Sequence, residues 1–256
     1  QKERTVHSNW ICLNTFFKHY GKSINNPNPN KKKLPKIPEK NIRFHDQNTL
    51  DKFLVAAKDH NYLYYRMALC GLYCGLRINE IINLRFEDWK WKKVKDKWEV
   101  SIHISHKEEN EALKHKFLTK SKRERVVPCP PWFVNAFEDF RVAKSHEQYC
   151  FTYEKNGKVS KFLSRPKTSL KTICANAFGT LESGKRKGKP KKMVTWHDLR
   201  HSFAHYLLTN GIELHIVCDL MGHSSIDVTL RYYGHLIDED RRKTMNKIGK
   251  NWKPPI

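Results

Sequence analysis

Three stretches of this chain carry residues whose types and spacing suit one chemistry. They are Gly75-Leu76-Arg77-Ile78-Asn79-Glu80, His197-Asp198-Leu199-Arg200-His201, and Gly222-His223, followed shortly by Tyr232-Tyr233-Gly234-His235. Two arginines, two histidines and a tyrosine in that order are what metal-free cleavage of a phosphodiester by a tyrosine would require. The anionic oxygens of a phosphodiester repel nucleophiles, and the transition state gathers more charge on them. Many enzymes answer with divalent cations, but no carboxylate cluster suited to magnesium is evident here. Arginine is the alternative, because its planar fork binds phosphate oxygens bidentately and stays charged. Arg77 and Arg200 would form such a clamp.

A phenol has a pKa near ~10 and needs a base or a strongly positive site to attack at neutral pH. His197 lies three residues before Arg200 on the same helix face and is a candidate proton acceptor. His223 could donate to a nonbridging oxygen. The leaving 5′ oxygen needs a proton, which a lysine on a hairpin loop could supply. Each residue also has an ordinary reading. Arg77 could simply pair with Glu80. His197, His201 and His205 share a helix face as metal ligands do, but an HExxH glutamate is missing. Packing or surface roles are expected for His201 and His205, and capping or orienting roles for Glu80, Asp88 and Asp198. No metal or cofactor is expected.

The elements that must position these residues follow from periodicity and capping signals. Residues 5–20 carry Val6, Trp10, Leu13, Phe16 and Phe17 on a helical period, with nothing local to cover that face. A proline-rich basic stretch follows and reads as an extended linker. Asn48 is expected to cap a helix bearing Leu50, Phe53, Leu54 and Ala57. Residues 62–76 read as a buried central helix, and Asn79 as the cap of a third. Trp98, Val100, Ile102 and Ile104 alternate as a strand, with a partner expected within 117–127 after a polar loop, 106–116. Helices are expected over 131–144 and 166–180, then a mobile basic loop over 184–192. Thr195 and Asp198 form a capping-box pair that opens a helix ended by Asn210-Gly211. Ile212 to Met221 is a further helix closed by Gly222. Ser224 and Asp227 look like another cap, and Gly234 a stop. The fold class is mainly α with a small antiparallel β-sheet (α+β).

Composition sets the partner class. Of 256 residues, 49 are Lys or Arg and 26 Asp or Glu, a formal charge of +23 that points to a polyanion. No apolar run of about 18 residues suggests a membrane span. Seven scattered cysteines without a CxxC pair read as reduced thiols in a cytosolic protein. The chain starts at Gln1 inside a helical pattern, which suggests a fragment.

These residues resemble the tyrosine recombinase family, also called phage integrases, which includes Xer-type chromosome-resolution enzymes. GLRxxE matches at Gly75 to Glu80, HDLRHSFA at His197 to Ala204, and MGHSSIxVTLxxYGHL at Met221 to Leu236. Thr119 to Pro128 resembles the family's GKGxKxRxVP hairpin, which puts its catalytic lysine on Lys120. The resemblance spans about residues 40–240. It implies a mainly helical catalytic domain with a small sheet, part of a two-domain clamp on DNA. It also implies a 3′-phosphotyrosyl intermediate and a Holliday junction, with a homotetramer on double-stranded DNA carrying specific recombination sites, a dimer per site. Residues 1–24 would be the terminal helix of a core-binding domain, 25–39 a basic linker, 40–236 the catalytic domain, and 237–256 a tail exchanged between protomers.

The resemblance assigns Arg77 and Arg200 to the phosphate clamp, Lys120 to general acid, His197 to base or proton relay, His223 to phosphate donor and Tyr233 to nucleophile. Tyr232, nine residues after His223, is the alternative nucleophile, while the Tyr-Gly-His-Leu match favours Tyr233. Glu80 and His235 would support the site. Lys31, Lys32, Lys33, Lys122, Arg123, Lys185, Arg186 and Lys187 are candidate DNA contacts. The expected function is a site-specific recombinase, the integrase of a mobile element, working in the cytoplasm on nucleoid DNA. The rival readings are a type IB topoisomerase-like enzyme and a DNA-binding relative that has lost catalysis.

Overall fold

The computed structural model describes residues 9–13, 15, 16, 19, 43–107, 124–142, 149–155, 158–161, 166–223, 225–227, 229, 230 and 233. Lys31, Lys32, Lys33, Lys120, Lys122, Arg123, Tyr232 and His235 lie outside them, as do the proposed linker and C-terminal tail. The chain divides into two compact units, Gln1–Asn41 and Ile42–Ile256. In the first, the described residues 9–13, 15, 16 and 19 are helical, and Ile11, Leu13 and Phe16 are exposed.

The second unit is mainly helical with a small antiparallel sheet. Helix α1 (Gln47–His60) is capped by Asp46, whose carboxylate accepts from Thr49 N at 2.8 Å. The expected cap, Asn48, lies inside the helix; the aspartate two residues earlier has the extended backbone that a cap needs. Helix α2 (Tyr62–Tyr73) is capped by Asn61 and buries its whole run from Met67 to Leu72. Helix α3 (Ile78–Ile81) is a single turn whose N-cap is Arg77, not Asn79. Asn79 is helical, and its carbonyl accepts from Asn83 Nδ2. Asp88 orients a turn as expected, with its carboxylate accepting from Arg85 N at 2.8 Å.

Strands β1 (Trp89–Val94), β2 (Lys97–Ile104) and β3 (Arg125–Pro128) form one antiparallel sheet with β2 in the middle. Strand β2 matches the alternation in the sequence. Strand β1 was not expected; three of its six residues are lysines, and only Trp89 is buried. Val100, Ile102, Ile104 and Val127 turn one face inward with Trp89. That tryptophan packs on Phe137 and Phe140, with ring centroids 4.6 and 5.1 Å away. The single helix expected over 131–144 is two short pieces, α4 (Phe133–Ala136) and α5 (Glu138–Arg141), broken at Phe137. Strands β4 (Thr152–Lys155) and β5 (Lys158–Lys161) form a separate hairpin.

Helix α6 (Lys167–Phe178) ends at Gly179. The basic stretch after it is closed by backbone bonds rather than loose. Gly188 N donates to Leu181 O and Lys191 N to Gly179 O, both at 2.9 Å, and Pro190 is buried. Helix α7 (Trp196–Thr209) opens on the Thr195/Asp198 capping box and ends at Asn210, as expected. Helix α8 (Leu214–Met221) closes on Gly222 in the left-handed region. The main core joins α1, α2, α3, the sheet, α4 to α6 and the start of α7. A smaller cluster holds Phe203, Ala204, Leu208, Val217, Met221 and Tyr233. The site lies where the two clusters meet along α7. No described helix is long and apolar enough to cross a membrane.

Candidate active site

Three segments deliver four charged groups to one place. Arg77 stands at the N-cap of α3, Arg125 at the start of β3, Arg200 on the second turn of α7, and Glu80 within α3. Glu80 is 3% exposed and accepts four hydrogen bonds. Two come from Arg77, N to Oε2 at 2.8 Å and Nη1 to Oε1 at 2.9 Å. Two come from Arg125, Nη1 to Oε1 at 3.0 Å and Nη2 to Oε2 at 2.7 Å. Arg200 Nη1 is 4.0 Å from Oε2. Burial alone would raise the Glu80 carboxyl, but Arg125, and then the charges of Arg200 and Arg77, outweigh it and hold its pKa at about 2. Three guanidinium groups against one carboxylate leave a surplus of positive charge.

The same arginines take three successive carbonyls at the end of α8. Arg125 Nε donates to Leu220 O at 2.9 Å, Arg200 Nη2 to Met221 O at 2.5 Å, and Arg77 Nη2 to Gly222 O at 3.1 Å. These carbonyls are left without intrahelical donors, and the helix dipole places partial negative charge there. Arg200 Nη1 also donates to Gly75 O. Burial, then Arg77, lowers the pKa of Arg200 to about 9, so it remains a cation at neutral pH. Arg77 is the most open of the three, its side chain 19% exposed.

Two glycines make this close approach feasible. Gly75 has φ +63°, and a Cβ there would stand 2.4 Å from Phe203 Cδ1. Gly222 has φ +60°, and a Cβ there would stand 2.7 Å from Arg125 Nη1. An L side chain at either place meets both a disfavoured backbone and an occupied volume.

His223 follows the helix end directly. Its Nδ1 is 2.7 Å from Thr229 Oγ1, and Cys218 Sγ donates to that same oxygen at 3.0 Å. If the hydroxyl proton of Thr229 is given to Nδ1, a neutral imidazole carries its own proton on Nε2. Burial, then Arg200, Arg77 and Arg125, pushes the His223 pKa down to about 3, so the ring is neutral at neutral pH. A neutral ring with a proton on Nε2 can donate to a phosphate oxygen.

Tyr233 is 1% exposed, and its hydroxyl is 2.5 Å from His201 Nδ1. The ring of His201 meets that of exposed His197 edge-on, with centroids 4.3 Å apart. His201 packs as expected, 7% exposed, and its ring nitrogen also meets the tyrosine oxygen. His205 does pack, stacking on Phe44 with centroids 4.0 Å apart. Thus Arg77, Glu80, Arg200, His223 and Tyr233 come together, with His197 at the edge. Lys185, Arg186 and Lys187 are exposed on the closed basic loop. Sequence reasoning missed Arg125, His201, Thr229 and Cys218 as parts of the site. Arg125 had a signal, since it is the arginine of the hairpin motif at Thr119 to Pro128. Among the described residues, no group of three or more His, Cys, Asp or Glu could hold a metal ion.

Residues 43–240 match the model of the phage integrase family. The tyrosine recombinase of Pseudothermotoga lettingae is 27% identical over 244 residues, covering 92% of this chain and 72% of that protein. Tyrosine recombinase XerA of Pyrococcus horikoshii is 26% identical over 228 residues, covering 86% and 66%. Among solved structures, the Tn1549 transposon integrase in complex with transposon right-end DNA has a similar fold. Its TM-score is 0.69 at 17% identity, over 96% of this chain and 79% of that one.

Proposed function

The chain belongs to the phage integrase family, and on that footing we propose that it is a site-specific DNA recombinase, the integrase of a mobile element. It cuts and rejoins strands through a 3′-phosphotyrosine and a Holliday junction. The observation that carries this reading is the gathering of Arg77, Arg125 and Arg200 around buried Glu80, beside the hydroxyl of Tyr233. Arg77 and Arg200 clamp the scissile phosphate and stabilise the charge that grows on its oxygens. His223 donates to a nonbridging oxygen through Nε2. Tyr233 attacks phosphorus, Lys120 protonates the leaving 5′ oxygen, and His197 serves proton exchange at the rim. The 5′ hydroxyl of a partner strand then reverses the step, so bond energy is conserved.

The partner is double-stranded DNA carrying specific recombination sites. Lys185, Arg186 and Lys187, with Lys31, Lys32, Lys33, Lys122 and Arg123, contact its backbone, and that electrostatic attraction weakens with salt. Four protomers act together. Residues 1–24 end a core-binding domain, 25–39 follow the DNA, 40–236 catalyse, and 237–256 reach a neighbouring protomer. The protein works in the cytoplasm on the nucleoid.

The test is covalent capture. The protein is incubated with a pool of nicked suicide duplexes of randomised sequence, and SDS-resistant adducts are recovered and sequenced. Tyr233→Phe should abolish the adduct, while Tyr232→Phe and the parent form it. An adduct that survives Tyr233→Phe and vanishes in Tyr232→Phe reassigns the nucleophile. No adduct with the parent protein removes strand transfer from the reading.

A further inference from the structure

A buried tyrosine hydroxyl needs a hydrogen-bond partner, and many partners would satisfy it. The partner here is a basic one. Tyr233 Oη lies 2.5 Å from Nδ1 of His201, with the two rings inclined at 60°. His201 is 7% exposed and Tyr233 1%. His201 directly follows Arg200 on α7, so the phosphate clamp and this imidazole are fixed by one helix. Phe203, Ala204, Val217 and Met221 pack in the same cluster as the phenol ring. The base that the sequence favoured, His197, is exposed and meets the ring of His201 rather than standing in its place.

We propose that His201 is a catalytic residue, the group that takes the phenolic proton of Tyr233 as its oxygen attacks the DNA phosphate. This rests on the reading of Tyr233 as nucleophile. The phenol O–H breaks and its proton passes to Nδ1 of His201. The Tyr233 oxygen bonds phosphorus, the bond from phosphorus to the 5′ oxygen breaks, and that oxygen takes a proton from the general acid. In rejoining, the incoming 5′ hydroxyl returns a proton to the general acid, and the departing phenolate recovers its own from His201.

The surrounding charge makes this transfer depend on substrate. Arg77, Arg125 and Arg200 oppose a further cation beside them, and Glu80 offsets only part of their charge. A phosphodiester brings one negative charge, and its pentavalent transition state adds another. Only then is an imidazolium at His201 electrostatically balanced.

The experiment uses a duplex recovered by the covalent capture above and follows adduct formation in single turnover. His201→Gln keeps a polar side chain but lacks a basic nitrogen, and should slow the adduct on the order of 100-fold, the usual scale of general-base catalysis. Replacing Tyr233 by 3,5-difluorotyrosine, a more acidic phenol, in the His201→Gln protein should restore most of that loss. A His201→Gln rate within about threefold of the parent overturns the proposal, and so does a loss that the acidic phenol leaves untouched, since general-base roles carry far larger effects. An independent reading needs neither DNA nor a variant of His201. In the histidine 15N spectrum, Tyr233→Phe should move the Nδ1 resonance of His201, and an unmoved resonance also overturns the proposal. An adduct that persists in Tyr233→Phe fails the nucleophile assignment instead, whatever the spectrum reports of the bond.

Discussion

Arg125 closes on both carboxylate oxygens of Glu80, at 3.0 and 2.7 Å, and so ties the β-hairpin strand to the turn that carries Arg77. The pair is almost wholly buried, with side chains 8% and 2% exposed. Glu80 also binds Arg77, so its carboxylate is shared between two guanidinium groups. Removing one partner of such a pair leaves an uncompensated buried charge. Arg125→Ala should destabilise the fold by about 3 kcal/mol, the lower end of the range for buried pairs because Arg77 remains. Urea denaturation measures it. Combined with Glu80→Gln, the two losses should fall short of their sum, since both remove the same contact.

Stability should decline with acid in two windows. The folded pKa of His223 is about 3 against an ordinary 6.5, and that of Glu80 about 2 against 4.5. Both are depressed, so the unfolded chain binds more protons in each window and stability rises with pH there. The contribution of His223 is complete above 6.5 and fades toward 3; that of Glu80 is complete above 4.5 and fades toward 2. Denaturant midpoints followed downward from neutral pH should show His223→Gln flattening the upper window and leaving the lower. An unchanged slope in the upper window would remove His223 from the account.

Gly75→Ala should cost about 1–3 kcal/mol from the left-handed backbone alone, and more from the clash with Phe203. The clash is separable. Adding Phe203→Leu should recover part of the loss in thermal denaturation but not the backbone share. Full recovery would mean that the left-handed conformation is not needed there.

Thr229 is wholly buried and stands between Cys218 and His223. Thr229→Val keeps the shape but removes the hydroxyl that meets Nδ1 of His223. Adduct formation should slow about 10-fold, roughly the effect of losing one oriented hydrogen bond of about 1.4 kcal/mol. Thr229→Ser should behave as the parent. Equal rates in all three proteins would show that the tautomer needs no help from position 229.

What the sequence makes legible depends on distance along the chain. The Thr195/Asp198 box, the Asn210 stop and the Gly222 stop are all readable, because each signal and its partner lie within a helical turn. Arg77 and Glu80 are readable for the same reason. Arg125 meets Glu80 across 45 positions, and His201 meets Tyr233 across 32, so no local pattern announces either contact. Caps are misread by two residues at Asn48 and Asn79, since several neighbouring polar residues compete and only backbone conformation decides. Strand β1 escapes because three of its six residues are lysines that keep their charged heads in water.

The three carbonyls at the end of α8 have an entropic consequence. Long arginine side chains lose much rotational freedom when fixed, on the order of 2 kcal/mol each. Fastened to Leu220, Met221 and Gly222, they undergo that loss once, as the chain folds. An anion arriving there meets guanidinium groups already aimed, so little of its contact energy is spent on arranging the protein.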